Sequence, residues 1–153
     1  MKRTASCLRG AAGAWLICAL WMAVIFLASA QTGEASGGQS GALAQMVMDA
    51  LCALFGAVNL PEETVEWLLR KGAHMAEYAV LFVLSRRAFV RSGALRPGLY
   101  ALMLCAGYAC TDEWHQAFVP GRGPSIRDVM IDTLGALTAW GAYALRGRRM
   151  ETR

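Results

Sequence analysis

Charge is scarce in this chain. Asp, Glu, Lys and Arg make up 17% of its 153 residues, against about 25% in soluble domains. That deficit excludes a disordered chain, an acidic tail and a basic nucleic-acid-binding arm. Cysteine is limited to Cys7, Cys18, Cys52, Cys105 and Cys110, and no two of them form a C-x-x-C pair. The odd count and loose spacing argue against both a disulfide framework and a zinc knuckle; apolar filling is the expected role. There is no H-E-x-x-H, no nucleotide-binding loop, no nucleophile elbow and no inverted repeat. What abounds is apolar: hydrophobic residues reach 56% and mean hydropathy is +0.37. An ordinary water-soluble core is not the expectation for such a chain.

The apolar residues are grouped. Between Gly10 and Gly33 no residue is charged, and Ala11–Ala30 is a run of twenty. Twenty helical residues reach ~30 Å, the thickness of a bilayer's hydrocarbon. A signal peptide competes for this segment, with Lys2, Arg3 and Arg9 ahead of it and Ala28-Ser29-Ala30 at its end. The run exceeds the roughly 7–15 residues of a signal's apolar core, so an uncleaved first helix is expected. Pro61-Glu62-Glu63 and Pro97 read as helix starts, since proline suits the first turn and acids suit its positive dipole end. Pro120-Gly121-Arg122-Gly123-Pro124 reads as a turn and Ser125 as an N-cap. The predicted architecture is an all-α, four-transmembrane-helix bundle forming a single domain over 1–153. Its spans fall at about 11–30, 63–87, 97–117 and 125–145, the last stopped by basic residues.

Charge placement fits that layout. Eleven of the fifteen Lys and Arg fall at the N-terminus, between the second and third spans (Arg86, Arg87, Arg91, Arg96) and at the C-terminus (Arg146, Arg148, Arg149, Arg153). Arg70, Lys71, Arg122 and Arg127 fall toward the other side, with ten of the eleven acids. The positive-inside rule then puts both termini in the cytoplasm of a multi-pass plasma-membrane protein. Between the first two spans, Gln31–Gly41 reads as a flexible outer loop. Ala42–Val58 reads as a short amphipathic helix on the outer interface, with a polar stripe of Gln45, Asp49 and Cys52. A re-entrant hairpin is the alternative.

The second span carries ionisable groups that a bilayer tolerates only when paired or hydrated. Arg70, Lys71, His74, Glu77 and Tyr78 share one helical face; Leu68, Met75, Ala76, Ala79 and Val83 share the opposite one, expected to face lipid. On the third span Asp112 and Gln116 share a face with Cys105 and Ala109, and Glu113 adjoins them. On the fourth, Asp128 and Asp132 lie beside Gly135-x-x-x-Ala139, a small-residue pattern that admits a close neighbour. At 1.5 Å per residue, Glu77 lies ~13 Å from the cytoplasmic end and Asp112 ~22 Å. The polar groups thus converge on the outer half of one small bundle. Trp114, His115 and Phe118 suit the interface.

These residues resemble the VanZ-like family of membrane proteins over most of the chain. Ser29-Ala30-Gln31 with Ser36 and Ser40 is similar to that family's serine-rich exit from the first span. Arg70-Lys71-Gly72-Ala73-His74-Met75-Ala76-Glu77-Tyr78 resembles its second-span motif. Asp112-Glu113-Trp114-His115-Gln116 through Pro120-Gly121-Arg122, with Ser125, Asp128, Asp132 and Gly135, resembles its most characteristic block. The resemblance implies a fold, a site and a link to tolerance of the glycopeptide teicoplanin, and no particular reaction.

Three readings follow for the polar cluster. In one, the charges only lock the helices of a non-catalytic scaffold, pairing Arg122 with Asp112 or Asp128, and Lys71 with Glu113. In the second, an outer-facing pocket binds or modifies a lipid head group or cell-envelope precursor. Arg70, Lys71 and Arg122 would hold phosphate, with Glu77, Tyr78, Gln116, Asp128 and Asp132 beside them. Asp112, Glu113 and His74 would be the acid–base candidates. In the third, Asp112, Glu113, Asp128 and Asp132 bind a divalent cation such as Mg²⁺ or Ca²⁺. The expected partners are membrane lipids, a lipid-linked precursor or a glycopeptide, and a second copy of the chain; nucleic acid is not expected.

Overall fold

The computed structural model describes residues 2–56 and 60–151. Among these the chain is all-helical, with five helices: α1 (Lys2–Ser29), α2 (Gly33–Phe55), α3 (Glu62–Arg91), α4 (Pro97–Gln116) and α5 (Ile126–Glu151). Helix α3 is the hub, packing against all four others and most extensively against α5. Among the described residues helix α2 packs against α3 alone.

The helix starts follow local chemistry. Pro61 caps α3, whose first turn carries Glu62 and Glu63, and Pro97 sits in the first turn of α4. Ser125 Oγ accepts from the Asp128 backbone N–H at 3.4 Å, opening α5. Between α3 and α4 the chain reverses through Gly93 at φ 75°, and between α4 and α5 through Gly121 at φ 76°. Both lie in the left-handed region that glycine enters without steric cost.

The core joins α1, α3, α4 and α5 through Cys18, Ile25, Tyr78, Leu81, Phe82, Ala101, Cys105, Ala109 and Ala136. Indole and phenol groups tie the helices together. Trp21 Nε1 donates to the Glu77 carbonyl at 3.0 Å, and Tyr108 Oη donates to the Met22 carbonyl at 2.6 Å. Helix α3 meets α5 at Gly135, where a Cβ would overlap the Met75 carbonyl oxygen and lie 2.8 Å from the Met75 Cα. Only glycine permits that approach. The Met75 side of α3 is therefore a helix contact, where an open lipid-facing surface was expected; Leu68 and Ala76, further round, are exposed.

Three other expectations change. The segment 31–41, expected as a loop, enters α2, which runs unbroken to Phe55 and leaves no room for a hairpin. Its glycines are tolerated because Ser40 anchors the helix to α3: Ser40 Oγ donates to Glu66 Oε1 at 2.6 Å and accepts from Arg70 Nη2 at 3.2 Å. Ala57 and Val58, the end of the expected interfacial helix, lie outside the described residues, as does Arg153 of the C-terminal basic cluster. Second, α3 continues to Arg91 and α5 to Glu151. Basic residues favour a helix C-terminus electrostatically and propagate helix well, so Arg86, Arg87 and Arg91 lie in α3 rather than in a loop. Third, of the four expected spans only Gly10–Ser29 is, among the described residues, long and apolar enough by itself to cross a membrane. Cys18 and Cys105 are buried filler, whereas Cys52 and Cys110 are exposed; these four are free thiols.

Candidate functional site

Helices α1, α2, α3 and α4 and the α4–α5 turn surround a cavity of about 250 Å³. Ala28, Ser29 and Gln31 close one side; Ser36, Gln39, Ser40 and Leu43 of α2 form another. Helix α3 contributes Leu69, Arg70, Ala73, His74 and Glu77, and Asp112 and Arg122 complete the wall. The face that brings Arg70, His74 and Glu77 there is the i, i+4, i+7 stripe of α3.

Asp112 is buried and well held. Oδ1 accepts from the Ser29 hydroxyl at 2.5 Å, and Oδ2 accepts from Gln116 Nε2 at 3.0 Å. Both are hydrogen bonds to an anion, the stronger class. Gln116 sits one turn beyond Asp112 on α4 and acts behind the wall. Arg70 is committed elsewhere: Nη2 donates to Glu66 Oε1 at 2.6 Å. Two charges on the wall are not committed. Arg122 makes no ion pair or side-chain hydrogen bond among the described residues, and neither does the carboxylate of Glu77.

A second polar set lies outside the cavity, along the α3–α5 seam. Lys71 Nζ donates to Asp128 Oδ1 at 2.5 Å. His74 Nδ1 approaches Asp132 Oδ1 at 3.2 Å. That contact is an ion pair by distance and is not a hydrogen bond by geometry, so both oxygens of Asp132, which is fully buried, and His74 Nδ1 have no hydrogen-bonding partner among the described residues. The Tyr78 hydroxyl, also fully buried, has none either. Glu113 turns toward α5: Oε2 accepts from the Ser125 backbone N–H at 2.7 Å, and Oε1 is buried without a partner.

The predicted site residues thus fall into two groups. Arg70, His74, Glu77, Asp112 and Arg122 line the cavity; Lys71, Tyr78, Glu113, Gln116, Asp128 and Asp132 lie behind it or on the seam. The expected pairs differ from those formed. Lys71 meets Asp128 rather than Glu113, and Arg122 pairs with neither Asp112 nor Asp128. The four carboxylates once grouped as an ion site are separated into these settings, and among the described residues no group of three or more His, Cys, Asp or Glu is placed to hold a metal ion.

Sequence reasoning left Ser29, Gln31, Ser36, Gln39 and Ser40 out of the site, and Glu66 as well. The available signal was the change from an apolar run to serine and glutamine after Leu27, with Ser36 and Ser40 one helical turn apart.

The family model described as VanZ/LLP1 matches residues 14–147. The chain belongs to the VanZ/LLP1 family. The matched stretch takes in most of α1, all of α2, α3 and α4, and most of α5, and so every residue of the cavity wall. This family is generally membrane-associated. No curated protein and no solved structure matches the chain.

Proposed function

We propose that this VanZ/LLP1 protein spans the plasma membrane four times, through α1, α3, α4 and α5, and binds a phosphate-bearing lipid head group or envelope precursor in the cavity. The observation that carries the binding reading is Arg122, a guanidinium on the wall of a polar cavity with no ion pair among the described residues. An uncommitted arginine in such a place presents a planar guanidinium fork that binds an anion such as phosphate bidentately. Asp112, fixed by Ser29 and Gln116, and His74 are the proton-transfer groups on the same wall. The multi-pass reading is supported by large apolar side chains left open on α1, α4 and α5, among them Leu16, Leu20, Met103, Ile126, Met130 and Leu134. A water-soluble monomer seldom carries such a belt. The positive-inside distribution puts both termini in the cytoplasm and the cavity toward the outer face.

The size of the cavity narrows the ligand. About 250 Å³ lies below the roughly 300–1,000 Å³ of drug-sized pockets, which suits a head group or the phosphate-bearing end of a precursor. Such a site would alter the envelope surface that a glycopeptide meets, the route by which teicoplanin tolerance would change. A second reading, helix locking, is favoured by the Lys71–Asp128 and His74–Asp132 contacts and applies to the seam.

The test has two arms. In a chain with its five cysteines replaced, Ser36→Cys should label from outside intact cells with an impermeant reagent; labelling only after lysis contradicts the topology. Arg122→Gln and Asp112→Asn should abolish a teicoplanin-tolerance phenotype while the amount of folded protein in the membrane holds steady. Loss of folded protein in step with phenotype assigns these residues to locking instead.

A further inference from the structure

The cavity wall carries two uncommitted charges, and they have opposite signs. Arg122 is the cation and Glu77 the anion; the other three charged or ionisable wall residues among the described side chains are each engaged, Arg70 by Glu66, Asp112 by Ser29 and Gln116, and His74 by Asp132. Arg122 and Glu77 line the same cavity and form no ion pair with each other. Two opposite charges held apart in one cavity are each short of a partner. A ligand that carries its own pair of opposite charges satisfies both, whereas an anionic ligand satisfies Arg122 and sets its charge against Glu77.

We infer that the cavity selects a zwitterionic phosphate bearing a primary amine, with the phosphate on Arg122 and the ammonium on Glu77. This rests on the phosphate reading above and adds the amine. The lining also speaks to which amine. A quaternary ammonium donates no hydrogen bond and is recognised on aromatic faces, and among the described residues the wall contains no Phe, Tyr or Trp. It does contain side-chain oxygens from Gln31, Gln39, Ser36 and Ser40. A primary ammonium has three N–H donors to place on such acceptors and on the carboxylate.

The experiment uses the full chain purified in detergent. Binding is measured for three short-chain phospholipids with identical tails and ethanolamine, choline or glycerol head groups, and for free phosphoethanolamine. The ethanolamine lipid should bind roughly tenfold more tightly than either of the others, the effect of one added charge-assisted hydrogen bond. Glu77→Gln, which keeps the shape, should erase that preference and keep binding of all three lipids. Arg122→Gln should weaken all three. Free phosphoethanolamine binding alongside its lipid supports the inference with a soluble ligand; binding of the lipid alone supports it with a membrane ligand. Equal binding of the ethanolamine and choline lipids by the unaltered protein overturns the inference, and needs no variant to fold. An undiminished preference in Glu77→Gln overturns it too. Failure of every one of these phosphates to bind overturns the phosphate reading on which it rests.

Discussion

Two polar regions share helix α3, and they differ in how their charges are used. On the seam with α5, charges face one another: Lys71 meets Asp128 at 2.5 Å and His74 meets Asp132 at 3.2 Å. A close backbone contact at Gly135 holds the two helices in register there. In the cavity, one anion is held by neutral donors and two charges have no direct partner among the described residues. A seam built this way fixes helix positions. A cavity built this way leaves charge unpaired, and in the proposed function a ligand supplies the partner. His74 belongs to both regions, and through it the seam orients one wall of the site.

The sharpest way to break the comparison is at Gly135. Gly135→Val pushes side-chain atoms into the Met75 backbone, and overpacking against backbone should cost about 3 kcal/mol. Melting in detergent should fall steeply and the folded fraction with it. Near-normal melting would show that the seam is loose.

Next in size is Lys71→Met. It strands Asp128 in a half-buried contact, with an expected loss of about 1.5–3 kcal/mol. Adding Asp128→Asn should recover much of it, since removing both members of an ion pair is often nearly neutral. Denaturant unfolding of the two single variants and the double variant measures this coupling. Purely additive losses would mean that the pair does not act as a pair.

Ser29→Ala takes away the 2.5 Å hydrogen bond to Asp112 but leaves that carboxylate beside a cavity and still bonded to Gln116. A loss of about 1 kcal/mol is expected, with a larger change in ligand affinity than in melting. The reverse order would place Ser29 among the locking residues.

Smallest in stability is Arg122→Lys. A side chain without an ion pair among the described residues should change melting by less than about 0.5 kcal/mol. Phosphate-dependent binding should still drop, since Lys replaces a planar fork with a point charge. Unchanged binding would argue for a simple counter-charge.

The sequence made these helices legible mainly at their starts. Pro61, Pro97 and Ser125 mark them because caps and first turns depend on local chemistry. Helix ends were less legible, because α3 takes in arginines assigned to the following loop and α5 runs on through the basic residues expected to stop it. The Gly/Ser-rich segment became helical through a tertiary contact, Ser40 with Glu66 and Arg70, and propensity alone points the other way. For the site, the face of α3 carrying Arg70, His74 and Glu77 followed from helical periodicity, and Gly135 announced a close neighbour. Which cation meets which acid did not follow. That depends on the relative rotation of two helices, so Lys71 could be placed near acids without Asp128 being singled out. The serines of the cavity wall were hidden for a related reason: a hydroxyl leaving an apolar run looks like a loop residue until the carboxylate it binds is known.

In the proposed function Arg122 serves a ligand and not the fold. The most direct measurement is thermal melting of the unaltered protein and of Arg122→Gln in detergent, each with and without the short-chain ethanolamine phospholipid. Linkage requires a ligand bound only by the folded state to raise the melting temperature. Equal melting of the two proteins is expected without lipid, with a clear rise for the unaltered protein when lipid is added and little or no rise for Arg122→Gln. Equal rises in both proteins, or a collapse of Arg122→Gln before any lipid is added, would contradict it.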